Sequence, residues 1–142
     1  MNTASAAGVV VPGPAAGGGS GYLYHTAKYA VVGLSESLRN ELAEFSIGVS
    51  VLCAGAVATD ILDNTLGTRP SNVARPIDEI WRQRRASLAR GLHPDAVGQL
   101  VVEAVQENRL YIHTDRTVED FVRARAETIV AAMPQHEVDQ KT

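Results

Sequence analysis

Residues 24–55, YHTAKYAVVGLSESLRNELAEFSIGVSVLCAG, join an amphipathic segment to a short apolar one. From about 24 to 46 the apolar residues recur every three or four positions, which predicts a helix with one apolar stripe. The stripe comprises Ala27, Ala30, Val31, Leu34, Leu38 and Leu42. Gly48 is expected to end the helix, because glycine readily adopts positive φ. Residues 49–55, VSVLCAG, lack a clean alternation, which is typical of a strand covered on both faces.

The remaining sequence continues this alternation of helix and strand. Pro94 is predicted to open a helix to about Asn108, since proline suits the first helical position. The segment RLYIHT at 109–114 is a strand candidate, and a last helix is expected at about 117–133. Residues 12–21 are predicted to form a flexible loop, and residues 60–93 a polar loop with a short helix at about 77–88. This order predicts an α/β fold with a parallel sheet.

The predicted sheet is small for a complete domain of this class. Two or three strands leave unpaired backbone groups at the sheet edges. We therefore expect residues 1–142 to form a single partial domain whose strands belong to a larger parallel sheet. Three parts are distinguished by their sequence. They are residues 1–61 with the candidate site, the variable loop at 60–93, and a helix–strand–helix unit at 94–133.

Composition narrows the possible functions. The 142 residues carry a net charge of -3, with 45% hydrophobic and 20% charged residues, so neither nucleic acid nor an anionic membrane is an expected partner. No apolar run approaches the ~20 residues of a membrane helix. The first residues contain no basic group, which argues against a signal peptide and favours the cytoplasm. Cys53 is expected to be a buried small hydrophobe, and no metal site is predicted.

Tyr24 and Lys28 are the most distinctive pair of side chains. The chain has only two lysines, Lys28 and Lys141, against eleven arginines. Positions four apart lie on one face of a helix, with Cβ atoms about 5–6 Å apart. A nearby ammonium group favours the phenolate form of a tyrosine, which suits general acid–base chemistry near neutral pH. The spacing by itself is a weak signal and favours an ordinary surface pair on a helix.

Four segments in order carry a resemblance to a known family. They are NTASAAG (2–8), YHTAK (24–28), VGLSESLRNELA (32–43) and VLCAGAVATDI (51–61). Together they resemble the short-chain dehydrogenase/reductase family, specifically over residues 1–61 and more loosely to the last helix. The resemblance implies NAD or NADP as cofactor and an alcohol or carbonyl compound as substrate. It also implies subunit contacts through the helices at 24–46 and 94–108, and thus a homo-oligomer.

The resemblance assigns roles to individual residues. Tyr24 matches the family's catalytic acid/base, and Lys28 matches the residue that binds the nicotinamide ribose and assists the tyrosine. Ser5 matches the serine that hydrogen-bonds the substrate oxygen. A loop hydroxyl bonded to local backbone is the alternative for Ser5, and Thr3 and Ser20 are its rivals.

The segment CAGAVAT corresponds to the nicotinamide side of the family's site. Gly55 is expected to admit the nicotinamide ring close to the backbone. The Val57 backbone and the Thr59 hydroxyl are expected to hold the carboxamide group. The alternative is a plain turn that leaves a strand.

The sequence also departs from the family pattern. The strand and glycine-rich turn that hold the cofactor pyrophosphate in the family are not recognisable in these 142 residues. The resemblance therefore implies a partial Rossmann-like domain, a doubly wound parallel sheet that lacks its N-terminal dinucleotide-binding half, and a truncated form is expected. The segment GGGSG at 17–21 is predicted to be a substrate-side loop, which lengthens the Ser5–Tyr24 interval. Ala54 stands where the family commonly has proline.

A non-catalytic remnant that binds no cofactor, or an interaction domain, is the alternative function. Trp81 and its neighbouring arginines are expected to form a solvated charged face, because Asp78 and Glu79 interrupt the positive charge, and recognition of an anionic substrate is the alternative.

Overall fold

The computed structural model describes residues 1–12, 21–68, 70, 72 and 78–134. The described strands are β1 (Asn2–Thr3), β2 (Val51–Cys53) and β3 (Tyr111–His113). The α-helices are α1 (Tyr22–Leu42), α2 (Ile61–Gly67), α3 (Asp78–Ala89), α4 (Pro94–Gln106) and α5 (Glu119–Ala131). Short 3₁₀ turns occupy Ala6–Gly8 and Ala43–Phe45.

The three strands form one parallel sheet in the order β1-β2-β3. Val51 pairs with Asn2 on one side and with Tyr111 on the other, which sets the register of the whole sheet. The predicted α/β class with a parallel sheet is therefore confirmed. The strands are shorter than the predicted ranges 49–55 and 109–114, although the carbonyl oxygens of Ser50, Ala54 and Leu110 still accept backbone hydrogen bonds from neighbouring segments.

The central strand β2 is covered on both faces, as its unbroken apolar sequence predicts. Alternate residues of a strand face opposite sides. Val51 and Cys53 pack with Val32 of α1 on one face. On the other face, Leu52 packs in a cluster with Val97, Ala104 and Ile112. Thus α1 and α4 cover opposite faces of the sheet.

The buried side of α1 differs from the predicted stripe. Val32 and Ser35 are buried, whereas Leu34 is 55% exposed. Ala27 and Ala30 of the predicted stripe are also exposed. The small Ser35 side chain is buried where α1 packs against the sheet. Its hydroxyl donates to the Val31 carbonyl oxygen (2.6 Å) and accepts from the Asn2 Nδ2 (3.0 Å).

The end of α1 also corrects a prediction. The helix gives way to a 3₁₀ turn after Leu42, and Ser46 adopts the left-handed conformation with φ 57°. Gly48 therefore does not terminate the helix. Its missing side chain instead leaves room for Asn108, because a Cβ at Gly48 would lie 2.4 Å from the Asn108 Oδ1.

The other helices agree with the sequence to within a few residues, with one addition. α3 and α4 begin near the predicted positions, and Pro94 occupies the first turn of α4. The short helix α2 lies in the segment that the sequence predicts as polar loop. Most of the predicted loop 12–21, including residues 17–20 of GGGSG, lies outside the described residues. Within the described ranges, every helix is too short or too polar to cross a bilayer.

Candidate active site

Most of the predicted site residues lie at one edge of the sheet. Because the strands are parallel, their carboxyl ends meet at the same edge, where open α/β sheets place ligands. Ser5 follows β1, Gly55 follows β2, and Thr114 follows β3, each within two residues of the strand end. Tyr24 and Lys28 lie in the first two turns of α1, which packs against the segment after β1.

Tyr24 and Lys28 are brought together by the helix. The Lys28 Nζ lies 5.7 Å from the centroid of the Tyr24 ring, within the range of a cation–π contact. It also donates a hydrogen bond to the Thr3 carbonyl oxygen at 3.3 Å, at the end of β1. Tyr24 is 50% exposed. A mobile cation with three donors thus stands beside a phenol that is open to an incoming molecule.

Ser5 lies between the ends of β1 and β2. Its hydroxyl oxygen accepts from the Ala7 N–H (3.2 Å) and caps the 3₁₀ turn at Ala6–Gly8. The hydroxyl donates to the Ala54 carbonyl oxygen over a long 3.4 Å. Among the residues that the structure describes, no hydrogen bond joins Ser5 to Tyr24 or Lys28. Ser5 therefore acts here as a loop hydroxyl that is bonded to nearby backbone. Its long hydrogen bond to the Ala54 oxygen is weak enough to be exchanged for another acceptor.

His25 is a site neighbour that the sequence analysis does not single out. Its Nδ1 lies 3.0 Å from the Ala7 carbonyl oxygen. A carbonyl only accepts, so the Nδ1 must carry the proton. Together with the Lys28 bond to Thr3, this contact ties α1 to the chain on both sides of Ser5. A histidine beside a tyrosine has no periodicity or spacing that predicts such a contact.

Backbone hydrogen bonds hold the turn after β2 on two sides. On one side, the Ala6 N–H donates to the Ala54 carbonyl oxygen at 2.8 Å. On the other side, Val57 pairs with Leu92, and the Ala58 N–H donates to the Leu92 carbonyl oxygen at 2.9 Å. A Cβ at Gly91 would lie 2.4 Å from the Ala56 oxygen, so this pairing requires glycine. Neither Gly91 nor Leu92 carries a recognisable sequence signal.

The donors of this turn suit a carboxamide. The Val57 N–H has no hydrogen-bond partner within the described part of the chain. The exposed Thr59 hydroxyl makes only a 3.5 Å contact with the Val57 carbonyl oxygen. A carboxamide both accepts and donates, so a backbone N–H beside a rotatable hydroxyl is a fitting pair of partners. The residues present therefore fit the nicotinamide end of a dinucleotide.

A cleft of about 340 Å³ opens beside Thr59. It lies between the turn after β2 and the helices α2 and α3, with Asp63 and Arg85 forming an ion pair at its wall. Other arginines of the segment are exposed, namely Arg82, Arg84 and Arg90, as expected for a solvated face. The cleft therefore borders Thr59, one of the residues of the candidate site.

Known proteins resemble this chain in sequence and in fold. A family model described as short chain dehydrogenase matches residues 1–69, which include Ser5, Tyr24, Lys28 and the turn after β2. This chain belongs to the short-chain dehydrogenase/reductase family. The "CLA biosynthesis dehydrogenase/reductase" of Lactiplantibacillus plantarum is 29% identical over 142 residues, which is 92% of this chain and 47% of the relative.

Solved structures of the family share the fold. A short-chain dehydrogenase/reductase from Burkholderia phymatum, in complex with NAD, has 33% identity and a TM-score of 0.75, covering 96% of this chain and 49% of that one. A short-chain dehydrogenase from Sphingobium yanoikuyae, in complex with NADPH, has 17% identity and a TM-score of 0.57, covering 99% and 48%. The second likeness shows the fold alone. The chain thus spans about half the length of these relatives.

Proposed function

We propose that this chain forms the proton-transfer and nicotinamide-binding side of an NAD(P)-dependent oxidoreductase site for an alcohol or carbonyl substrate. The observation that carries the proposal is the Lys28 ammonium, 5.7 Å from the Tyr24 ring and bonded to the carboxyl end of β1. A bound nicotinamide dinucleotide would supply or accept the hydride. The rest of the chemistry is a proton transfer that the residues of this chain can perform.

Tyr24 is proposed as the acid/base that exchanges a proton with the substrate oxygen. Its exposed position at the sheet edge leaves the hydroxyl accessible to a small molecule. Lys28 places a positive charge beside the Tyr24 ring and has donors beyond its Thr3 bond for ribose hydroxyls. Ser5 is proposed to turn its weakly bonded hydroxyl from the Ala54 oxygen to the substrate oxygen. Such a donor stabilises charge that develops on that oxygen.

Gly55, Val57 and Thr59 are proposed to hold the nicotinamide. The support is the unpartnered Val57 N–H, considered within the described residues, and the weakly engaged Thr59 hydroxyl. The NAD of the Burkholderia phymatum protein and the NADPH of the Sphingobium yanoikuyae protein support a nicotinamide cofactor in general. They do not favour one dinucleotide over the other, so NAD and NADP are both proposed.

The test is a nuclear magnetic resonance titration of the ¹⁵N-labelled 142-residue chain with reduced nicotinamide mononucleotide. We expect shifts to cluster on the amides of Lys28, Gly55, Val57 and Thr59. NADH and NADPH should bind no more than slightly tighter, because no pyrophosphate turn is recognisable in these residues. Adenosine monophosphate is the control, since it carries ribose and phosphate without nicotinamide. Its addition should leave these amides unchanged.

Two results decide between the proposal and its alternative. Shifts that are absent, or that map elsewhere, would favour the non-catalytic remnant or interaction domain. Saturable NADH binding far tighter than that of the mononucleotide would show that this chain holds the pyrophosphate as well, contrary to the expectation from its sequence.

A further inference from the structure

A chain of hydrogen bonds runs from Gly55, after β2, to Thr117, two residues before α5 begins. The Gly55 N–H lies 2.9 Å from the Thr114 Oγ1, and this oxygen lies 3.1 Å from the Asp115 Oδ2. The Asp115 Oδ1 accepts from the Thr117 N–H at 2.9 Å and from the Thr117 hydroxyl. Thr114 is 8% exposed, so its hydroxyl depends on these partners rather than on water.

The direction of this chain is fixed by the chemistry of its groups. A backbone N–H only donates, and an ionised carboxylate only accepts. The Thr114 hydroxyl must therefore accept from Gly55 and donate to Asp115. Burial would raise the pKa of the Asp115 carboxyl, but hydrogen bonds from Thr117 and Thr114 and the nearby His113 hold this pKa below its usual range. The acceptor is thus charged, and hydrogen bonds to a charged acceptor are stronger than neutral ones.

Gly55 leaves the space that this arrangement needs. A Cβ at Gly55 would lie 2.0 Å from the Asp115 Oδ2 and 2.9 Å from its Cγ. Any other residue would force the carboxylate away from the turn. Gly55 is expected to admit a nicotinamide ring close to the backbone. In the structure, the Asp115 carboxylate of the same chain occupies the position that a Cβ at Gly55 would take.

We propose that Thr114 and Asp115 are positioning residues that clamp the turn at 55–59 and thereby orient the Val57 N–H and the Thr59 hydroxyl. This role rests on the proposed function of the turn. The clamp holds the start of the turn, while the pairing of Val57 with Leu92 holds its far side. The Val57 N–H lies at the second anchor, and Thr59 follows it by two residues. Both donors are thus oriented before any ligand arrives, which reduces the cost of binding.

The first test compares Thr114→Val with Thr114→Ser in the ligand-free chain. Valine has nearly the shape of threonine but no hydroxyl, whereas serine keeps the hydroxyl. Amide hydrogen exchange should be about tenfold faster at Gly55 in Thr114→Val, because one buried hydrogen bond is lost. Thr114→Ser should restore slow exchange. The Leu52 amide in the core of β2 serves as the reference for general loosening of the fold.

The second test repeats the titration with reduced nicotinamide mononucleotide. Thr114→Val should weaken binding about three- to tenfold, with smaller shifts at Val57 and Thr59, and Thr114→Ser should bind as the unmodified chain does. Thr117→Val is a second variant at an exposed position. It removes one donor to Asp115, so it should have a smaller effect of the same sign.

The outcomes separate this role from the proposed function. Unchanged exchange at Gly55 in Thr114→Val would overturn the clamp, as would faster exchange with unchanged binding of the mononucleotide. In both cases the function of the turn would stand. No binding by the unmodified chain would overturn the proposed function and the positioning role together.

Discussion

At the scale of single residues, the environment of each group decides what chemistry it can perform. Lys28 and Tyr24 share an exposed edge, where both side chains can meet a ligand. Cys53 is 1% exposed in the core, and burial together with the charge of Glu36 raises its pKa to about 11. The expectation that Cys53 is a buried hydrophobe is confirmed, and its thiol has little nucleophilic character near neutral pH.

Replacement of Tyr24 tests the acid/base role. In an active preparation, Tyr24→Phe should lower kcat about 10²- to 10⁴-fold, because general acid–base catalysis typically contributes that much. Cofactor affinity should change little. Lys28→Met should impair both, since it removes a charge and a ribose donor. The measurements are steady-state kinetics with NADH or NADPH on a panel of carbonyl compounds, and cofactor binding by fluorescence.

Tyr22→Phe is the matched control for this pair of variants. Tyr22 is an exposed tyrosine in the same helical turn as Tyr24, and its replacement should leave the rate near normal. A near-normal rate in Tyr24→Phe would refute the assigned role.

Stability should depend on alkaline pH through Cys53. The thiol pKa is 9.0 without the fold and about 11 within it. Between these values the folded state retains a proton that the unfolded state has lost, so the free energy of unfolding falls as pH rises. Urea unfolding from pH about 8 to about 11 measures the slope. Cys53→Ala should flatten it, and an equal slope in both proteins would contradict this account.

Tyr111 adds a second alkaline transition that must be separated from the first. Burial and the hydrogen bond of its hydroxyl to Glu36 raise the pKa of Tyr111 to about 12. Its contribution to stability is therefore lost at higher pH than that of Cys53. The slopes are best compared in a Tyr111→Phe background.

At the scale of elements, the packing of α1 on the segment after β1 places the site. Gly8 faces the helix backbone, and a Cβ there would lie 2.7 Å from the Lys28 carbonyl oxygen and 2.9 Å from the Val32 Cγ2. Lys28 can reach the Thr3 carbonyl because the two segments approach this closely. The contact that stabilises the helix position therefore also positions the candidate catalytic lysine.

Two glycine replacements test this contact. Gly8→Ala should destabilise the fold by about 1–3 kcal/mol, the typical cost of overpacking. Gly33→Ala is the matched control in the same helix, where an added Cβ would meet nothing within 4 Å. It should stabilise by about 0.5–1 kcal/mol through helix propensity. Urea unfolding measures both, and a neutral Gly8→Ala would mean that α1 is not held this closely.

At the scale of the whole molecule, several surfaces remain available for association. β1 pairs with β2 on one side only, so its other edge presents unpaired backbone groups in the described sheet. α1 exposes Leu23 and Leu34. The family resemblance implies subunit contacts through this helix, and an exposed apolar face agrees with that implication.

Self-association of the chain is expected, through the open sheet edge and the exposed face of α1. Sedimentation or light scattering should show species larger than a monomer that dissociate on dilution. Leu34→Glu should shift the distribution toward monomer, because a charge is costly in an apolar contact. Ile61→Glu is the control, as Ile61 in α2 is also 55% exposed. A stable monomer with cooperative unfolding would contradict the expectation.

The order of the main elements, the α/β class and the family could all be predicted from the 142 residues alone. Spacings along one helix or strand are local, so the pairing of Tyr24 with Lys28 and the burial of β2 on both faces could be predicted from periodicity. The catalytic candidates were located by the resemblance of the four ordered segments at 2–61 to the family.

The groups that surround the candidate site residues could be identified from the three-dimensional structure but not from the sequence. The contacts of Ser5 with Ala54, of Gly91 with Ala56, and of Asp115 with Gly55 join residues far apart in sequence. The same holds for α1, whose buried side was set by Gly8 and Asn2 rather than by its own apolar stripe. Such contacts produce no periodic pattern in the sequence, because they form between segments that meet at the sheet edge only in the folded chain.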